Sequence, residues 1–127
     1  MFVRDLSGPF TVIAEPHETL IDVASRMRFN DVGSAIVLDG GVVTGILTER
    51  DLVQAIADGA DLERTTVSGY MTNAPTVVAP DVDCVVAATL MARQGIAHLP
   101  VVDGGALTGV ISQRDLVSEL LLERAAT

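Results

Sequence analysis

Two short segments of the chain place a hydroxyl, an arginine and a carboxylate together after an apolar run. They read Gly45-Ile46-Leu47-Thr48-Glu49-Arg50-Asp51 and Gly109-Val110-Ile111-Ser112-Gln113-Arg114-Asp115. Both stand at the predicted start of a helix, where free backbone N–H groups and the positive end of the helix dipole attract phosphate. Arginine adds a forked donor set that suits phosphate oxygens, and a carboxylate accepts hydrogen bonds from hydroxyls such as those of a ribose. The pattern therefore predicts a nucleotide site, with aspartate on the ribose and the hydroxyl and arginine on phosphate.

The same residues also have a purely structural interpretation. Thr48 and Ser112 are good N-cap residues, and Asp51 and Asp115 fall in the first turn, where negative charge stabilises a helix. Their double occurrence favours a binding site, although descent from one duplicated segment would preserve both copies as well. Both interpretations stay open at the level of the motif.

The motifs belong to an internal repeat. Pro16 to Val53 aligns without a gap with Pro80 to Val117, at a constant offset of 64 positions and with 13 identities. Asp-Gly-Gly, Thr-Gly and Arg-Asp-Leu-Val all recur. Two copies are too few for a solenoid, and a repeat of roughly 50 residues is marginal alone because it buries too little surface. The two copies are therefore predicted to fold as one pseudo-symmetric pair.

Apolar periodicity and turn signals predict the order β-α-β-β-α in each copy, an α+β (mixed α/β) fold. Asp39-Gly40-Gly41 is a hairpin turn signal, and Thr19 and Thr48 are helix caps. The predicted boundaries are residues 1–59 for the first repeat, 60–72 for a linker and 73–127 for the second repeat. The predicted strands are 11–14, 35–38, 42–47, 76–78, 98–102 and 106–111, and the predicted helices begin near 19, 48, 83 and 112.

Composition limits the function classes. The formal net charge is −9, with 8 basic and 17 acidic residues, which argues against nucleic-acid binding because that needs a basic face. No apolar run is long enough for a membrane span, and the N-terminal residues lack the pattern of a signal peptide. The single Cys84 suits a reducing cytosol and is expected to be buried. We expect a cytoplasmic protein without nucleic-acid or membrane partners.

The last predicted helix indicates self-association. Leu116, Val117, Leu120, Leu121 and Leu122 cover more than one helical stripe. A helix that is apolar over so wide an arc needs cover on two sides, and 49% apolar residues with a mean hydropathy of +0.44 is high for a small soluble chain. The expected partner is a second copy of the chain, giving a homodimer.

The repeat, the His98-Leu99-Pro100-Val101-Val102-Asp103 segment, the two Arg-Asp motifs and the Tyr70-Met71-Thr72 linker together resemble a pair of cystathionine-β-synthase (CBS) domains. The resemblance implies two repeats packed around a pseudo-twofold axis with two clefts between them. It also implies a regulatory protein that binds adenosyl ligands such as AMP, ADP, ATP or S-adenosylmethionine. An effector protein of unknown identity would read the bound state, and no catalytic cofactor is implied.

The resemblance also assigns site residues. In the first site, Thr11, Val12, Ile13, Ala35 and Ile36 would hold the base, and Thr48, Arg50 and Asp51 would take phosphate and ribose. In the second site, Thr76, Val77, Val78, Leu99 and Pro100 would hold the base, with Ser112, Arg114 and Asp115 on the rest and His98 near the phosphates. The first repeat has Ser34-Ala35-Ile36 where the second has His98-Leu99-Pro100, so the second site is expected to be the stronger one.

No pattern in the sequence predicts catalysis. The chain has no Gly-x-Ser-x-Gly elbow and no histidine set, and His17, His98 and Cys84 are too far apart for a zinc-site spacing. We therefore expect no enzyme and no metal. The alternative to a nucleotide sensor is a ligand-free scaffold that serves only to dimerise.

Overall fold

The computed structural model describes residues 1–8 and 11–125 and divides the chain into two compact units. In chain order the elements are α1 (Val3–Leu6), β1 (Val12–Ala14), α2 (Leu20–Phe29), β2 (Ser34–Asp39), β3 (Val42–Thr48), α3 (Glu49–Ala57), a 3-10 turn (Val67–Gly69), β4 (Thr72–Asn73), α4 (Cys84–Gln94), β5 (His98–Asp103), β6 (Ala106–Ser112) and α5 (Gln113–Ala125). The mixed α and β composition confirms the predicted fold class. None of the helices within these ranges has the length and apolar character to cross a bilayer.

The first-repeat unit, Thr11–Pro75, contains a four-stranded sheet in the order β1-β2-β3-β4. Strand β1 is parallel to β2, and β2, β3 and β4 are antiparallel neighbours. Helix α2 buries one apolar stripe, Leu20, Val23 and Met27, in the core of the unit. The stripe follows the helical spacing predicted from the sequence.

The second-repeat unit combines residue 76 onward with the first eight residues of the chain. Its named sheet is the β5-β6 hairpin. The predicted strand 76–78 is wrong in extent, because only Val78 pairs, through a parallel bridge to Val101. In this bridge the Val78 N–H donates to the Pro100 carbonyl, and the Val102 N–H donates to the Val78 carbonyl. The next ladder bond toward Thr76 would need an N–H at position 100, which proline lacks.

Each hairpin repeats the same local geometry. Gly40 and Gly41 have φ of 58° and 81°, as the mirror-image turn of a two-residue hairpin requires. Each hairpin also shifts register after the fourth residue of its first strand, at Val37 and Val101. In both copies a threonine hydroxyl donates to the carbonyl at this irregularity at 3.3 Å, Thr44 to Val37 and Thr108 to Val101. These contacts account for the recurrence of Asp-Gly-Gly and of the threonine in the sequence.

A short segment outside the β-α-β-β-α repeat completes the core of each unit. Val67 is fully buried in the first-repeat unit, and Val3, which is 64 positions earlier, is fully buried in the second-repeat unit. Their backbones are held alike: the Val67 N–H donates to the Glu18 carbonyl, and the Val3 N–H to the Val82 carbonyl, each at 2.8 Å. This division differs from the boundaries predicted from the sequence, which placed residues 1–8 with the first repeat and treated 60–72 as a linker. Residues 126–127 of the predicted second repeat lie outside the described residues.

The repeated Thr-Gly pair lets these segments approach the sheet. A Cβ added to Gly109 would lie 2.6 Å from the backbone carbonyl oxygen of Gly8, and a Cβ added to Gly45 would meet the side-chain sulfur of Met71. Gly8 and Thr72 occupy equivalent positions beside β6 and β3. Both positions therefore favour glycine. A side chain at position 109 would overlap rigid backbone, whereas one at position 45 would overlap a flexible side chain.

Replacing each of these glycines by alanine should distinguish an overlap with backbone, at position 109, from an overlap with a flexible side chain, at position 45. Gly109→Ala is expected to cost about 2 kcal/mol of unfolding free energy, because backbone must move to relieve the overlap. Gly45→Ala should cost less than about 1 kcal/mol, because the flexible Met71 side chain can move aside. Urea unfolding of the two variants measures the difference. Gly69→Ala, which meets only a methyl at 3.8 Å, is the control, and equal losses at Gly45 and Gly109 would contradict the account.

Candidate functional site

The predicted site residues of the first repeat gather at one end of its sheet. Strands β1 and β2 begin there and β3 ends there, with Val12 opposite Ala35, Ile13 opposite Ile36, and Ser34 opposite Thr48. The α3 helix starts directly after Thr48 and carries Arg50 and Asp51 in its first turn. The structure thus brings the apolar strand residues and the polar helix start of the first-repeat unit together. Val12, Ala35 and Ile36 are buried, whereas the Ile13 side chain is 40% exposed.

The second-repeat unit makes the same arrangement with less regular pairing. His98 lies opposite Ser112 and Leu99 opposite Ile111, and Val78 is bonded to the Pro100 carbonyl. Leu99, Pro100 and Val78 are buried, and Val77 is 43% exposed, close to the value for its equivalent Ile13. The half-buried His98 stands at the first residue of β5. All nine residues predicted for this repeat therefore lie at the start of β5, at the end of β6, in the first turn of α5 or in the segment bridged to β5.

Both motif aspartates cap their helices. The Asp51 Oδ2 atom accepts hydrogen bonds from the Thr48 N–H at 2.8 Å and from the Thr48 hydroxyl at 3.1 Å. In the other copy, Asp115 Oδ2 accepts from the Ser112 N–H at 3.3 Å, and the Asp115 N–H donates to the Ser112 hydroxyl at 3.1 Å. This is the reciprocal arrangement of a capping box with aspartate at the third position. The structure therefore confirms that the motif residues cap helices α3 and α5.

The capping role does not use every polar atom of the motif. Each bond that the Asp51 or Asp115 side chain accepts in the cap ends on Oδ2, so the cap does not require Oδ1. Arg50, Arg114 and Asp115 are exposed, so their charged groups can meet a solute without a rearrangement of the core. Such a helix start offers an anion oriented N–H groups together with a flexible guanidinium.

Sequence reasoning missed one pair of residues at this end of the first-repeat unit. Arg26, on α2, donates from Nη1 and Nη2 to the two carboxylate oxygens of Glu18 at 2.8 and 3.0 Å. Its Nη2 also donates to the Ile13 carbonyl at 2.9 Å. We call these three residues the Arg26 clamp. The only sequence signal for it is a mismatch, since the equivalent positions in the second repeat are Leu90 and Val82.

The sequence also contains metal-ligating side chains and one thiol. The structure places no group of three or more metal-ligating side chains together within residues 1–8 and 11–125. Cys84 is buried at the start of α4, as expected from its apolar neighbours, and this burial raises the pKa of its thiol. A protonated, enclosed thiol is a poor nucleophile.

Comparison with known proteins supports the repeat. The family model described as the CBS domain matches residues 3–58 and again residues 67–122. The CBS domain-containing protein YhcV of Bacillus subtilis is 31% identical over 125 residues, which cover 98% of this chain and 89% of that protein. The similarity therefore extends over nearly the whole of both chains.

Two solved structures share the fold. A protein with CBS domains from Burkholderia ambifaria matches with a TM-score of 0.91 and 28% identity, over 96% of this chain and 95% of that one. A CBS domain protein from Pyrobaculum aerophilum, complexed with AMP, matches with a TM-score of 0.88 and 30% identity over the full length of both chains.

The Arg26 clamp should make stability depend on pH in a defined direction. The hydrogen bond from Arg26 holds the pKa of the Glu18 carboxyl below its ordinary value of 4.5. A lowered folded-state pKa means that the contribution of Glu18 is complete above pH 4.5 and is lost as the pH falls through the folded-state value. Urea unfolding of the wild type and Glu18→Gln should thus differ at neutral pH, by less than about 1 kcal/mol because both side chains are partly solvated.

The difference in unfolding free energy between wild type and Glu18→Gln should shrink as the pH is lowered below the pKa of the free carboxyl. Glu63→Gln, at an exposed position in the same unit, serves as the matched control and should show no such trend. A difference between wild type and Glu18→Gln that stays constant down to strongly acidic pH would contradict the ion pair.

Proposed function

Since the chain belongs to the CBS-domain family, we propose that it is a regulatory module that binds an adenosyl nucleotide and transmits its presence to an effector protein. The observation that carries the proposal is the carboxylate in the first turn of a helix, at the same end of the unit as the predicted apolar base-binding residues, in both units. The complex of a full-length relative with AMP supports AMP as the first ligand to test, with ADP, ATP and S-adenosylmethionine as the other members of the class.

In the second repeat each part of the nucleotide has a proposed partner. The Val77 backbone and the neighbouring Thr76 and Val78 would hold the base, with Leu99 and Pro100 behind them. Asp115 would accept hydrogen bonds from the ribose hydroxyls, and Ser112 and Arg114 would bind phosphate. His98, at the start of β5, would lie on the phosphate side.

In the first repeat the same roles would fall to the equivalent residues. Thr11, Val12, Ile13, Ala35 and Ile36 would surround the base, and Thr48, Arg50 and Asp51 would meet the ribose and phosphate. Ser34 stands where the second repeat has His98 and Ile36 stands where it has Pro100. The two copies therefore offer similar polar groups around different strand residues, and the second is the stronger candidate.

The proposed mechanism is a shift between conformations. A ligand that binds one conformation better than another raises the population of that conformation by its difference in affinity. The described residues provide binding groups but no nucleophile paired with a base, so the output would be a change in the surface offered to an effector. We expect this to take place in the cytoplasm, where nucleotides report metabolic state.

Binding can be tested by thermal unfolding in the presence of AMP, ADP, ATP or S-adenosylmethionine. A ligand at a hundredfold excess over its dissociation constant should add roughly 2.7 kcal/mol to the unfolding free energy. Asp115→Ala should abolish most of this stabilisation, whereas Asp103→Ala, at the exposed last residue of β5, should leave it unchanged. The absence of a shift with all four ligands at millimolar concentration would overturn the proposal.

The second candidate function, a dimerisation scaffold, is favoured by exposed apolar side chains on the helices. Both units present such residues at equivalent helical positions, Ile21, Val53 and Ile56 in one and Val85, Val117 and Leu120 in the other. Leu121 and Leu122 extend the surface on α5 and are about two-thirds exposed. Apolar surface repeated in this way is typical of a protein contact, and a homodimer is the partner that we propose.

Sedimentation velocity tests the dimer separately from the ligand. Val117→Glu should shift the protein from dimer to monomer, because it would bury a charge in the contact. Ser118→Glu, on the adjacent exposed residue of the same helix, should leave the dimer intact. A wild type that is monomeric at micromolar concentration would contradict the contact, and an unchanged dimer in Val117→Glu would place it elsewhere. A dimer that binds no nucleotide would leave the scaffold as the function.

A further inference from the structure

The outer edge of strand β1 differs chemically from its counterpart in the second repeat. Strand β1 is the last strand of its sheet, so no strand formed by the described residues lies beside its outer edge. The Ile13 carbonyl accepts the Arg26 hydrogen bond and is thereby already occupied. Glu18 fixes the guanidinium through two bonds, and the Glu15 N–H donates to Glu18 at 2.8 Å. Four hydrogen bonds therefore fix the clamp, three donated by Arg26 and one donated by the Glu15 N–H.

In the second repeat the equivalent segment, bridged to β5 at Val78, has no clamp of this kind. The Val78 N–H and C=O are both bonded to the segment around Pro100 and Val102. Because successive residues of an extended chain point their polar groups in opposite directions, the N–H and C=O of Val77 point away from β5. The residues at the positions of Arg26 and Glu18 are Leu90 and Val82, which carry no donor or acceptor. No side chain at the clamp positions can fill the Val77 carbonyl.

The two edges should prefer different purines. An aminopurine such as adenine presents an amino donor beside a ring-nitrogen acceptor, whereas guanine presents a keto oxygen in place of the amino group. A backbone C=O that is open to a donor, next to a backbone N–H, is complementary to the amino group and ring nitrogen of adenine. At the first-repeat edge, the amino group of adenine would meet the Ile13 carbonyl, which already accepts a charge-assisted hydrogen bond from Arg26. The keto oxygen of guanine would instead meet an N–H donor of the Arg26 guanidinium. Arginine has five N–H groups, of which the three bonds of the clamp use three.

We infer that Arg26 determines the base preference of the first repeat and makes it select a 6-oxopurine nucleotide over an adenine nucleotide, while the second repeat selects adenine. The inference rests on the proposed function, because it assigns a ligand class to one of the two proposed nucleotide sites. Arg26 acts here as a specificity residue and Glu18 as the residue that positions it.

Calorimetric titration with AMP and with GMP tests this directly. Asp115→Ala removes the second site and leaves the first to be measured, and in that variant GMP should bind about tenfold more tightly than AMP, the effect of about one hydrogen bond. Adding Arg26→Leu, the residue type found in the second repeat, should reverse the preference. Adding Arg28→Leu, an exposed arginine of the same helix, should leave it unchanged. In Asp51→Ala, which retains the second site, AMP should be preferred.

The ratio of the two dissociation constants is measured on one preparation, so partial unfolding of a variant does not alter it. If the wild type binds AMP but the ratio in Asp115→Ala is the same with and without Arg26→Leu, the inference is wrong and the proposed function stands. If the wild type binds neither nucleotide, the proposed function is wrong and the inference falls with it.

Discussion

Each repeat is too small to form a sufficient hydrophobic core from its own β-α-β-β-α elements. A repeat of roughly 50 residues cannot bury enough apolar surface to be stable by itself, and each copy here is completed by a segment that lies outside the repeated β-α-β-β-α order. Val67 does this for the first repeat and Val3 for the second, each held through the same backbone bond to the residue two places after a proline. The glycines of the Thr-Gly pairs follow from this packing, since the segment passes close to the strand that contains them.

The same carboxylates connect the fold to the proposed function. Asp51 and Asp115 close the turn between the last strand and the last helix of each repeat, so they fix where the helix N-terminus points. A cap and a ribose ligand are therefore compatible uses of one side chain, because the cap takes one oxygen and a sugar can take the other. The asymmetry between the copies lies at the outer edge of β1, where the first repeat has Arg26 and Glu18 and the aligned positions of the second repeat are Leu90 and Val82.

Much of the fold could be predicted because its signals are local. The Asp-Gly-Gly turns, the threonine caps and the apolar stripe of α2 each follow from a few neighbouring residues. The strand at 76–78 was wrong because its pairing depends on an N–H of a distant residue, and Pro100 has none. The Arg26 clamp was missed because it joins a helix, a loop and a strand that share no periodic pattern. The packing of Val3 beside the second repeat is likewise a long-range contact, visible in the sequence only as an offset.

We propose that a nucleotide binds at the helix N-termini of this chain. The most direct measurement is a crystal structure of the protein soaked with AMP. The account predicts electron density for the nucleotide in the second repeat, with Asp115 on the ribose and the Val77 backbone on the base. Crystals that stay empty at millimolar AMP, or a nucleotide bound away from both Asp51 and Asp115, would contradict it.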